Sequence, residues 1–68
     1  MKEETFGEFL RRLREERHLS QFQLGVLIGA TDRAISKWEN DLNKPRGIYM
    51  MRLSNVFGVD VKELLEKL

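Results

Sequence analysis

Read for spacing, the apolar residues recur three and four apart in five separate stretches, the mark of short amphipathic helices. Phe6, Phe9, Leu10 and Leu13 make the first stripe, opened by Thr5 and Glu8 at capping-box spacing. Leu24, Leu27 and Ile28 make the second, after a capping box of Ser20 and Gln23. Ala34, Ile35 and Trp38 share one side of the third, for which Thr31 is a good N-cap. Met50, Leu53, Ser54 and Phe57 face inward from the fourth, which Gly58 stops. Val61, Leu64, Leu65 and Leu68 line the last, begun by Asp60 with Glu63 and stapled by Val59. The expected ranges are about 5–17, 21–28, 32–39, 47–57 and 61–67, within one all-α domain over residues 1–68.

The second and third helices are joined by a tight turn. Gly29 permits the left-handed exit, and Ala30 and Thr31 complete the link. Opposite the apolar side of the third helix lie Asp32, Arg33, Ser36, Lys37 and Asn40. No large apolar residue interrupts that face. Its donors and acceptors suit base edges and phosphates, and a B-form major groove admits one α-helix. Trp38 invites a stacking role, but its spacing from Ala34 and Ile35 assigns it to the core.

Composition narrows the class. Sixty-eight residues allow one domain with a small core. The chain is consistent with a whole small protein or with one domain of a larger one. Without cysteine there is no disulfide or zinc staple, so stability rests on helix packing and capping. The 41% apolar and 34% charged content fits a folded helical domain. A net charge of +1 argues against a purely electrostatic grip on nucleic acid. Local charge says more: from Arg33 to Arg52 there are five Lys/Arg against two acids, Glu39 and Asp41. No apolar run approaches the ~20 residues of a membrane span, and no signal peptide is visible.

Catalytic chemistry finds no foothold. There is no nucleophile–base pair, carboxylate cluster or phosphate-binding glycine loop, so neither an enzyme nor a cofactor site is expected. His18 is the only histidine and has no cysteine to join it, which makes a metal site a poor reading. Glu8–Arg12, Arg11–Glu15 and Arg12–Glu16 stand at i,i+4 on the wet side of the first helix. Phe22 lies off the main apolar face of its helix. Ile48, Tyr49 and Met51 either extend the core or form a patch for a second subunit.

Several ordered motifs now combine. They are Leu-Arg-Glu-Glu-Arg at 13–17, Leu-Ser-Gln at 19–21, Leu24, Leu27-Ile28-Gly29, Ile35-Ser36 and Trp38-Glu39-Asn40. Lys44-Pro45, Gly58-Val59 and Glu63-Leu64-Leu65 complete them. In order and spacing, over roughly residues 5 to 66, the chain resembles the phage-repressor and Cro-type helix-turn-helix family, also called the xenobiotic-response-element family. The resemblance implies a five-helix bundle that binds operator DNA and comes from a prokaryote or phage; the expected setting is cytoplasmic or nucleoid-associated. It implies an Arg14–Glu39 pair tying the first helix to the recognition helix. It likens Gln21 to the family's phosphate-contacting glutamine and lays the loop with Lys44 and Arg46 on the DNA backbone, together with Asn40. Three departures stand out. His18 and Asp41 replace the usual glycines at helix exits, and Gly25 replaces the usual alanine. Histidine and aspartate both tolerate positive φ. Asp41 also brings a negative charge towards the expected phosphates.

On this reading Arg33 grips guanine and Lys37 is the second reader. Ser36 addresses several bases. Asp32 accepts from cytosine or serves the helix N-terminus electrostatically. Two copies would read an inverted repeat with half-sites ~34 Å apart. The rival is a protein-interaction module, including an antitoxin-like one that docks a partner through the polar face or the Ile48–Met51 patch.

Overall fold

The computed structural model describes residues 3–68. Over that range it holds five helices and no strand: α1 Phe6–Glu16, α2 Gln21–Ile28, α3 Asp32–Glu39, α4 Gly47–Phe57 and α5 Val61–Glu66. Thr5 and Arg17 are the caps of α1, and Lys67 is the C-cap of α5.

Each start has a local cause. Thr5 and Ser20 both close reciprocal capping boxes, with Glu8 and Gln23 respectively. Thr31 accepts from the Ala34 N–H at 3.1 Å. Asp60 caps α5 through the Lys62 N–H at 2.9 Å, not through a box with Glu63.

The exits use the left-handed region at His18, Gly29, Asp41 and Gly58. At the end of α1 the N–H groups of His18 and Leu19 return to Glu15 O and Arg14 O, the paired bonds of a Schellman turn. Two further carbonyl ends are closed by cations from distant helices. Arg52 donates to Ile28 O at 2.9 Å. Arg17 donates to Val56 O at 3.0 Å and Phe57 O at 2.7 Å.

The core gathers Phe6, Phe9, Leu10, Leu13, Leu24, Ile28, Ile35, Trp38, Met50, Leu53, Phe57 and Leu64. Three expectations need correction. Leu27 is 55% exposed, because α2 turns Gln21, Leu24, Gly25 and Ile28 inward and leaves Leu27 beside Phe22 and Val26 on the outside. In α5 only Leu64 is buried; Leu65 and Leu68 are exposed, since the short helix touches the bundle along a narrow stripe. The Glu8–Arg12 pair does not form. The Glu8 carboxylate is taken by the Thr5 N–H, and Arg12 reaches back to Glu4 at 2.9 Å and on to Glu16 at 3.2 Å. Tyr49 is half-buried with its ring centroid 5.3 Å from that of Trp38, whereas Ile48 and Met51 stay exposed.

Candidate nucleic-acid interface

The α2–α3 unit is assembled through backbone contact. At Gly25, a Cβ would stand 2.5 Å from the Ala30 carbonyl oxygen, and the Ala30 N–H already donates to Gly25 O at 2.8 Å. The turn is therefore closed too tightly even for the alanine that the family resemblance leads one to expect. A second close approach joins α1 to α3. A Cβ on Gly7 would lie 2.3 Å from Glu39 O and 2.7 Å from Trp38 O. Gly7 thus lets the start of α1 rest on the carboxyl end of α3.

Behind α3 sits a charged junction. Arg14 Nε and Nη2 donate to the two Glu39 carboxylate oxygens at 2.6 and 3.0 Å, and Arg14 Nη1 donates to Leu19 O at 2.8 Å. The side chains are 11% and 3% exposed. The hydrogen bond to Glu39 raises the Arg14 pKa above its ordinary value, against an opposing push from burial. Gln21 Nε2 adds a third donor to Glu39 at 3.1 Å, so α1, α2 and α3 meet on one carboxylate.

The opposite side of α3 carries the polar set. Asp32, Arg33 and Asn40 are exposed, and Ser36 and Lys37 are half-exposed. Among the described residues neither Arg33 nor Lys37 enters an ion pair. Asp32 lies in the first turn of α3, where a carboxylate is favoured by the helix dipole. Asn40 donates its amide to Ser36 O at 2.8 Å. Gln21 is turned towards Glu39, so its amide is partly committed within the protein. Lys44 and Arg46 are exposed on either side of buried Pro45. Arg46 is also the N-cap of α4 and makes no side-chain cap bond, leaving the first N–H groups of that helix open.

Asp41 takes the expected left-handed turn, and its exposed carboxylate is tied to the start of α1: it accepts from Thr5 Oγ1 at 2.7 Å and from the Gly7 N–H at 2.9 Å. Sequence reasoning misses both Gly7 and this clamp. The signal that could have found them is a glycine inside an apolar helical stripe, which often marks a close backbone approach. His18 stands at φ 55 as the expected helix-exit residue. Among the described residues no three His, Cys, Asp or Glu side chains are grouped as metal ligands.

The helix-turn-helix family profile matches residues 10–64. Similar solved structures include the P22 c2 repressor protein in complex with synthetic operator 9T. It is 29% identical, with 91% of this chain and 94% of that chain covered, at a TM-score of 0.86. The DNA-binding domain of the P22 c2 repressor in solution is 31% identical, with 96% and 86% covered, at a TM-score of 0.84. A part of hydroxypropylphosphonic acid epoxidase from S. wedmorenis is also similar, at 27% identity and a TM-score of 0.75. That match covers 87% of this chain but 31% of the epoxidase chain. No curated protein matches. By its ordered motifs, its five-helix architecture and these likenesses, this chain belongs to the helix-turn-helix family, as a phage-repressor-type domain.

Proposed function

We propose that this chain is a DNA-binding transcriptional regulator that recognises chosen sequences in double-stranded DNA, with α3 seated in the major groove. The observation that carries this reading is the division of α3. One side is locked by Ile35, Trp38 and Glu39, while Arg33 and Lys37 stand on the other without ionic partners among the described residues. A rigidly mounted helix with unpaired donors is what direct readout requires. The likeness to a repressor held on a synthetic operator supports the same direction.

Arg33 takes guanine through its paired donors, Lys37 takes a neighbouring acceptor, Ser36 adapts to either, and Asp32 accepts from cytosine. Asn40, Lys44 and Arg46 hold phosphates, with the open N–H groups at the start of α4 adding to the pull on an anion. Gln21 contributes from the start of α2, where its backbone N–H is free even while its amide serves Glu39. Two copies read an inverted repeat with half-sites ~34 Å apart. Ile48 and Met51 remain available to a second subunit, whereas Tyr49 is occupied by Trp38. The reading is of a binder, not an enzyme, because the epoxidase likeness spans a minor part of that protein. The setting is the cytoplasm; no helix among the described residues is long and apolar enough to cross a membrane.

Selection of bound duplexes from a random pool tests the reading, and Arg33→Ala tests the assignment. The variant should lose ~1–3 kcal/mol on the selected sequence and far less on mixed DNA. A wild-type chain that forms no complex with duplex DNA at low ionic strength would refute it.

A further inference from the structure

The exit turn of α3 carries a side chain with a second task. Asp41 sits at φ 57; its N–H donates to Trp38 O at 3.1 Å and the Leu42 N–H donates to Lys37 O at 2.9 Å. These are the two bonds of a Schellman turn, in which glycine adopts the left-handed position at no steric cost and aspartate tolerates it at a modest one. The costlier choice has a visible return. Asp41 Oδ1 accepts from the Gly7 N–H, and Oδ2 accepts from the Thr5 hydroxyl, which itself caps the Glu8 N–H. The carboxylate therefore lies on the positive end of α1. A few residues further on, the same loop presents Lys44 and Arg46 before α4 begins.

We propose that Asp41 is a positioning residue for DNA binding: by pinning the exit turn of α3 to the start of α1, it aims Lys44 and Arg46 at the phosphate backbone. The inference rests on the DNA-binding reading above. Two features make a clamp more fitting than a simple turn residue. Glycine would complete the turn equally well but would leave the loop untied. An uncommitted carboxylate would be free to swing towards the phosphates, whereas here both oxygens are held on donors at the positive end of α1.

The test is the salt dependence of binding to a mixed-sequence duplex, for the wild type, Asp41→Gly and Asp41→Asn. Asp41→Gly removes the carboxylate and also the modest steric cost of the left-handed φ, so the variant stays folded, as circular dichroism will register. Every phosphate that the protein ceases to neutralise flattens the slope of log K against log salt by about 0.9. Misdirection of Lys44 and Arg46 should thus flatten the slope by about one to two, with affinity at moderate salt falling about tenfold or more. Partial unfolding alone lowers the competent fraction and leaves the slope unchanged. Asp41→Asn keeps an oxygen for the Gly7 N–H and should restore most of the slope. A folded Asp41→Gly with the wild-type slope overturns the clamp and leaves DNA binding intact, as does an Asp41→Asn that fails to restore it. A wild type that binds no duplex at low ionic strength overturns the DNA reading and this inference with it.

Discussion

Removing the Glu39 carboxylate should be among the most damaging single changes to this bundle. Three donors converge on it from two other helices: Arg14 Nε, Arg14 Nη2 and Gln21 Nε2, at 2.6, 3.0 and 3.1 Å. Its side chain is 3% exposed, so Glu39→Ala strands the Arg14 guanidinium in a site that is 11% exposed. Breaking a buried pair by deleting one partner costs ~3–5 kcal/mol. The lower end applies here, about 3 kcal/mol, because Arg14 keeps its bond to Leu19 O. A chain of this size has a total stability on the order of 3–10 kcal/mol, so the loss is a large share of it. Urea unfolding followed by the fluorescence of buried Trp38 is a suitable assay. With a slope of about 1 kcal/mol per molar, the midpoint should fall by about 3 M or the protein should already be unfolded in buffer. The double variant Arg14→Met with Glu39→Met tests the cause. It removes both charges together and should be clearly more stable than Glu39→Ala. A Glu39→Ala loss below ~1 kcal/mol, the range of an exposed pair, would refute the argument.

Two further outcomes follow from the packing. Gly7→Ala forces a methyl group to within 2.3 Å of Glu39 O, so α1 or α3 must shift; a cost of about 1–3 kcal/mol is expected from urea midpoints. Leu24→Ala, at a fully buried site, should cost ~2–5 kcal/mol, whereas Leu27→Ala, three residues on and largely exposed, should change thermal stability little; equal losses would contradict the observed rotation of α2.

The helices are legible in the sequence because their signals are local. Capping boxes at Thr5 and Ser20, a cap at Thr31 and the spacing of Phe6, Phe9, Leu10 and Leu13 are decided within a few residues of chain. The faces of α2 and α5 are less legible. An apolar residue at helical spacing can lie on either edge of the stripe, and which edge is covered depends on how the neighbour approaches. Gly25 permits such a close approach that α2 presents its glycine side, and Leu27 is left outside. Asp41 is the same lesson in electrostatic form. Its left-handed φ can be anticipated from the helix exit, but the target of its carboxylate lies more than thirty residues earlier in the chain, and only the tertiary fold brings them together. The Arg14–Glu39 pair follows from family resemblance, not from spacing; Gln21, likened by the same resemblance to a phosphate-contacting glutamine, supplies a third donor to Glu39 that no local signal announces.

These contacts bear on how so short a helix could serve the base-reading role proposed for it. α3 has eight residues, too few to be stable alone in water. It is held at three places that allow little play. Gly25 brings α2 against Ala30 in the turn before α3, and Gly7 brings α1 against the last carbonyls of α3. Between α1 and α3 lies the Arg14–Glu39 junction. Backbone-to-backbone contact is stiffer than contact through long side chains, because no rotamer can relax it. On the proposed reading, such preorganisation would lower the ordering cost of binding, so that few direct contacts would suffice. The modest net charge then makes sense: a helix already in place needs less nonspecific attraction than a flexible basic segment would. Loosening Gly7 or Gly25 while α3 keeps every polar residue should therefore weaken discrimination between sequences more than it weakens binding to mixed DNA.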